Sequence, residues 1–173
     1  AEVFRTLRTN IQFMNSKKTM KTLLVTSTMP GEGKSWVSAN LAITFAQAGK
    51  KVILVDADMR RSRQHKIFDL SNKKGLSNLL VLSVDNLENE VLGYLQPTMV
   101  DSLYVIPAGV VPPNPSELLT SRKMIDLVET LENLADIVIF DGTPTTLVTD
   151  AIILSRYVST TMIVAAHKKT KME

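Results

Sequence analysis

The 173-residue chain contains no cysteine. That absence excludes disulfide stapling, thiolate metal sites and a cysteine nucleophile, and it fits a reducing cytosol. Only two histidines are present, so His65 has few companions for a metal site. No run approaches the ~18 uninterrupted apolar residues of a membrane-spanning helix. No charged, then apolar, then small-residue segment opens the chain as a leader would. Internal repeats and low-complexity tracts are also missing. The formal net charge of +3 is too small to argue for nucleic acid, which is not an expected partner. What is there is ordinary for one globular domain: 45% hydrophobic and 21% charged residues in a chain long enough to bury a sizeable core.

Periodicity orders the chain into helices and strands. Residues 2–14 read as an amphipathic helix, with Val3, Phe4, Leu7, Ile11 and Met14 near one stripe. The apolar runs 21–27, 51–56, 103–107, 135–141 and 160–166 read as five strands. Helical patterns over 35–48, 87–95, 124–134 and 151–157 separate them, and Gly49 supplies a natural stop for the first of these. Residues 62–86 are polar and helical in places. Ser116 is placed to cap a helix after the proline-rich loop 111–115, and the tail 168–173 is polar. Strand, helix and strand within ~35 residues make a βαβ unit with a right-handed crossover. The expectation is a three-layer α/β sandwich of P-loop type, its mostly parallel sheet flanked by helices, forming one domain over residues 1–173.

The central motif runs from Thr28 to Ser35: Thr28, Met29, Pro30, Gly31, Glu32, Gly33, Lys34, Ser35. It matches the phosphate-binding pattern G-x-x-x-x-G-K-[ST] after a strand and before a helix, with Thr28 in place of the first glycine. Gly31 and Gly33 let consecutive amides face one anion, and the following helix N-terminus, at Trp36, favours phosphate. Lys34 can reach the β- and γ-phosphates, and Ser35 can offer a hydroxyl to Mg²⁺. ATP or ADP with Mg²⁺ is therefore the expected cofactor. Asp56 and Asp58 follow the second strand and Asp141 ends the fourth. In an open parallel sheet such residues gather at the ligand-binding edge. Any one of them could instead be a helix cap.

Together these stretches resemble the bacterial tyrosine kinases (BY-kinases), P-loop proteins related to partitioning ATPases. Glu2, Arg5 and Arg8 are similar to the family's E-x-x-R-x-x-R motif, residues 27–35 to its Walker A, residues 55–60 to its second acidic motif and residues 139–141 to its Walker B. Residues 107–109 and 112–119 are also typical. The resemblance implies an ATP- and Mg²⁺-dependent protein-tyrosine (auto)kinase regulating capsular or exopolysaccharide synthesis. In that reading Lys34, Asp56, Asp58 and Asp141 are catalytic, Ser35 and Asp141 position Mg²⁺ with Asp56 and Asp58 as further metal-site residues, and Asp56 and Asp58 lie between the γ-phosphate and a tyrosine hydroxyl, where Asp56 helps accept the phenolic proton or orients that nucleophile. It also implies a ring-like homo-oligomer built through Glu2, Arg5 and Arg8, and substrates that are tyrosine-containing proteins, including its own tail in trans. Its activator would be the cytoplasmic tail of a membrane polysaccharide co-polymerase, with the kinase at the inner face of the cell membrane.

Three departures stand out. Asp141 is followed by Gly142, Thr143 and Pro144 rather than D-x-P-P, Ser62 replaces a common proline, and Tyr94, Tyr104 and Tyr157 are not clustered. The C-terminal strands and tyrosine-rich tail of the family are expected to be missing. Tyr104 and Tyr157 sit in apolar patterns and are expected in the core. A switch ATPase of the partitioning type is the rival reading. Met29 stands where those relatives carry a signature lysine, which favours the kinase. A scaffold that only binds nucleotide is a second rival. Arg60, Arg61, Arg63, His65 and Lys66 form a basic run that could touch nucleotide, an acidic tyrosine tail or a partner, or could be a solvated face.

Overall fold

The computed structural model describes residues 2–14, 20–83, 85–145 and 150–166. The polar tail at 168–173 lies outside the described residues. Helix α1 (Glu2–Met14) leads to β1 (Thr22–Ser27), α2 (Lys34–Gln47), β2 (Val52–Asp56), α3 (Gln64–Ile67), α4 (Leu76–Val81) and α5 (Leu87–Leu92). Then come β3 (Gln96–Pro97), β4 (Leu103–Ile106), α6 (Pro115–Leu119), α7 (Arg122–Leu134), β5 (Ile137–Asp141), α8 (Asp150–Leu154) and β6 (Thr160–Val164). One six-stranded sheet has the order β3-β4-β2-β5-β1-β6. All its pairings are parallel except that of β3 with β4.

The inner strands β2, β4 and β5 are apolar at nearly every position because both faces of the sheet are covered there. Alternation distributes the strands' side chains to two cores. Leu24, Ile53, Val55, Ile106, Val138 and Phe140 pack with residues of α4, α6, α7 and α8. Leu23, Val25, Leu54, Val105 and Ile139 pack on the other face, with Leu41, Ala42 and Phe45 of α2 and Ile11 of α1. Each fully buried Leu, Ile or Phe stabilises the fold by about 1.5–3 kcal/mol relative to leaving it in water. This is the expected α/β sandwich.

Several local expectations change. The two-residue strand β3 has no sequence pattern, and α5 ends at Leu92 rather than 95. On α1 only Ile11 is buried; Val3 and Met14 are exposed, and Phe4, Leu7 and Arg8 are half-buried. Ser116 is not a cap. Asn114 holds the N-cap position and Pro115 opens α6, so Ser116 lies inside it. Tyr104 and Tyr157 are half-buried against the core, whereas Tyr94 is the buried tyrosine. Among the described residues no helix is long and apolar enough to cross a membrane.

Candidate active site

The strand order makes the site. Strands β1, β5 and β2 are neighbours, with β5 between the other two. Asp56 and Asp141 are register partners at the carboxyl ends of β2 and β5, and β1 runs directly into the 28–33 loop. Gly31 and Gly33 have φ of 77° and 81°, left-handed values that disfavour any residue with a Cβ. Gly33 is the N-cap of α2, and no side chain caps that helix. Its first amides are thereby left for a ligand.

Lys34 is buried between two carboxylates. Its Nζ lies 2.9 Å from Asp141 Oδ1 and 3.0 Å from Asp58 Oδ2, with Ser35 Oγ 3.5 Å away. Burial by itself would lower the ammonium pKa. Asp141 and Asp58 outweigh burial and hold it above its ordinary value. Three oxygen donors thus already surround one cationic centre, the kind of hard, all-oxygen set that Mg²⁺ takes. A cleft of about 430 Å³ opens over them, lined by the phosphate-binding loop, Trp36, Asp58, Arg61, Arg63, Ile67 and Pro144.

Asp56 makes a different set of contacts. It is wholly buried. Its Oδ1 accepts from the amide of Asp58 (3.1 Å), and its Oδ2 from the amides of Arg63 (2.9 Å) and Gln64 (3.0 Å). Burial first, and Asp141 second, push its pKa up to about 8, against the opposing pull of those amides. Asp56 therefore shapes the loop that carries Asp58. The Glu32 side chain is also engaged within the protein. Its carboxylate folds over its own loop, accepting from Thr28 Oγ1 (2.5 Å) and the Met29 amide (2.6 Å), and it reaches the Ala166 amide at the end of β6 (2.5 Å). The Met29 and Trp36 side chains are exposed, and Trp36 lines the cleft.

Two features were not anticipated. Gln64, fully buried, donates to Asp141 Oδ2 (2.9 Å) and to the Ser35 carbonyl (3.0 Å), tying the strand β5 acid to helix α2. Only its position eight residues after Asp56 could have hinted at it. The second is a cluster behind the loop. Arg60 Nη1 donates to Asp150 Oδ2 (2.6 Å), Arg60 Nη2 to Ser116 Oγ (3.2 Å), and Ser116 Oγ to Asp150 Oδ1 (2.5 Å). Asp150 is buried. The expected self-association residues do not line the cleft. Arg5 pairs with Glu2 on the surface (3.4 Å), while Arg8 donates to the Thr44 carbonyl (3.1 Å) and docks α1 on α2. After Asp141, the amide of Gly142 donates to Val25 and that of Thr145 to Ser27, so the departing loop is laced onto β1.

Residues 20–171 match a family model described as an AAA domain. The chain is 41% identical over 174 residues to a putative tyrosine-protein kinase, CapB, of Staphylococcus aureus, covering 100% of this chain and 74% of CapB. It is 42% identical over 173 residues to the tyrosine-protein kinase YwqD of Bacillus subtilis, covering 100% of this chain and 71% of YwqD. The chain belongs to the bacterial tyrosine kinases of capsule and exopolysaccharide systems. Among solved structures, the kinase domain of Escherichia coli tyrosine kinase ETK superposes with a TM-score of 0.87 at 37% identity, over 94% of this chain and 62% of that one. The chimerical protein CapA2B2 superposes with a TM-score of 0.86 at 40% identity, over 94% of this chain and 69% of that one. The cell-division ATPase MinD of Pyrococcus furiosus shares the fold at 24% identity, with a TM-score of 0.66. This BY-kinase domain is thus a protein-tyrosine kinase domain on a P-loop ATPase fold.

Proposed function

We propose that this domain binds ATP with Mg²⁺ in the 28–36 cleft and transfers the γ-phosphoryl group to a tyrosine hydroxyl. The observation that carries the reading is Lys34 held between Asp58 and Asp141 at the mouth of the phosphate-binding loop. In phosphoryl transfer the protein contributes mainly positioning and charge neutralisation. The backbone amides of residues 30–36 cradle the β- and γ-phosphates, and Lys34 turns from the carboxylates to those anions. Ser35 and Asp141 would hold Mg²⁺, which when bound would supply charge neutralisation at the phosphates. Gln64 fixes the Asp141 carboxylate, and Asp58 orients the incoming hydroxyl. The phenolic oxygen forms its bond to the γ-phosphorus as the bond from that phosphorus to the β,γ-bridging oxygen breaks. ADP leaves, and the phenolic proton passes to Asp58.

The wider setting follows from family membership. We place this domain under the control of the cytoplasmic tail of a membrane polysaccharide co-polymerase, at the inner face of the cell membrane. Its substrates would be tyrosine-containing proteins. Residues 1–173 act as one kinase unit, with self-association through the exposed face of α1.

Asp58→Asn separates binding from transfer. We expect fluorescent ADP to bind within about threefold of wild type, while phosphotyrosine formation falls by roughly 100-fold, the scale of losing one positioned acid–base group. Unimpaired phosphotransfer would remove Asp58 from the step. ATP hydrolysis with no phosphotyrosine on any protein or peptide would instead indicate a switch ATPase.

A further inference from the structure

We propose that the Arg61–Arg63 wall of the cleft is the acceptor-peptide subsite, and that it selects tyrosines flanked by aspartate or glutamate. The inference deepens the kinase reading and rests on it.

The loop after β2 carries three arginines with different fates. Arg60 is consumed behind the loop by Asp150 and Ser116. Arg61 and Arg63 line the cleft instead, and among the described residues neither guanidinium lies in an ion pair. Both are exposed. Their backbones are nevertheless fixed by the buried acids: the Arg61 amide donates to Asp58 Oδ1 (3.0 Å) and the Arg63 amide to Asp56 Oδ2 (2.9 Å). Two uncompensated cations are therefore presented from a pinned loop, on the same cleft as Asp58.

Apolar surface accompanies them. Trp36, 62% exposed, and the half-buried Ile67 share the cleft lining with the two arginines. An exposed indole beside guanidinium groups suits a planar ring, through stacking and cation–π contact. Arginine also pairs with carboxylates in a bidentate fork. The triphosphate already has the loop amides and Lys34, so the arginines are free to serve the second substrate. An aromatic acceptor with acidic neighbours complements this wall in both shape and charge.

The test uses the full chain with Mg²⁺ and ATP, and three synthetic peptides. Each has one tyrosine, flanked on both sides by paired glutamates, glutamines or lysines. We expect kcat/KM for the glutamate peptide to exceed that for the glutamine peptide by about tenfold, and Arg61→Glu with Arg63→Glu to move the preference to the lysine peptide. Equal kcat/KM for all three peptides in the wild type overturns the subsite. So does an unchanged preference in the double variant, including the case where only its affinity for Mg²⁺–ATP falls. A second arm needs no transfer. Phenylalanine versions of the peptides are titrated against the Mg²⁺–ADP-loaded protein, reading the fluorescence of its single tryptophan, Trp36. Charge-selective binding that Arg61→Glu with Arg63→Glu reverses, without phosphotyrosine on any peptide, upholds the subsite and sinks the kinase reading. Phosphotransfer without charge-selective binding does the opposite.

Discussion

At the scale of single residues, the site is a problem in placing charge. Lys34 lies between two buried acids, and its removal strands them. Lys34→Met should abolish Mg²⁺–ATP binding. It should also destabilise the fold by about 3–5 kcal/mol at pH 8, the cost of an unpaired buried charge, as measured by urea unfolding. Asp56 gives a distinct pH signature. Its folded pKa is raised to about 8 from an ordinary 3.8, so between those values the folded state holds a proton that the unfolded chain has released. Stability then falls as pH rises through that window. Asp56→Asn should flatten this part of the profile while weakening the 56–64 loop. A wild-type profile that rises from pH 5 to pH 8 would refute the assignment. Gln64 belongs at this scale too. Gln64→Leu should lower phosphotransfer more than tenfold with its two hydrogen bonds gone, while Gln64→Glu adds a charge beside Asp141 and should be worse.

At the scale of elements, the core strands were legible because Val, Ile and Leu occupy both faces of a covered parallel sheet, and few other structures tolerate such runs. The phosphate loop was legible because its glycines and lysine have fixed spacing after a strand. Partnerships between distant polar residues were not. Ser116 looked like a cap from its neighbours alone, yet the buried Asp150, 34 residues on, takes its hydroxyl. Glu32 looked like a loop residue until β6 brought the Ala166 amide to it. Strand β3 is two residues long and follows β4 rather than any propensity of its own. Arg60→Ala should therefore act at the level of packing, loosening α6 and α8 together at a cost of about 1–3 kcal/mol for the poorly satisfied Asp150. The check is hydrogen exchange, with protection lost in both helices at once. Gly75 precedes α4, and a Cβ there would overlap the Pro107 carbonyl oxygen and the Gly109 amide nitrogen. Gly75→Ala should cost about 1–3 kcal/mol by overpacking, read as a lower urea midpoint with unchanged slope.

At the scale of the whole molecule, α1 has an exposed face, to which the proposed self-association is assigned, and a face docked on α2. Glu2 and Arg5 point to solvent, so Glu2→Ala with Arg5→Ala should reduce the mass seen by light scattering and leave the melting temperature nearly unchanged. Arg8→Ala should lower the melting temperature through its lost contact with Thr44, because that side chain holds α1 to its own domain. The sheet order has a further consequence, for synthesis. Lys34 and Asp141 are 107 residues apart, and β5 enters between two strands made long before it. A ribosome that has released the phosphate loop, β1 and β2 has not yet made the strand that joins them. If nucleotide is held as proposed, with Asp141, a nascent chain should begin to capture it only once the strand ending at residue 141 has been made and has inserted between its neighbours.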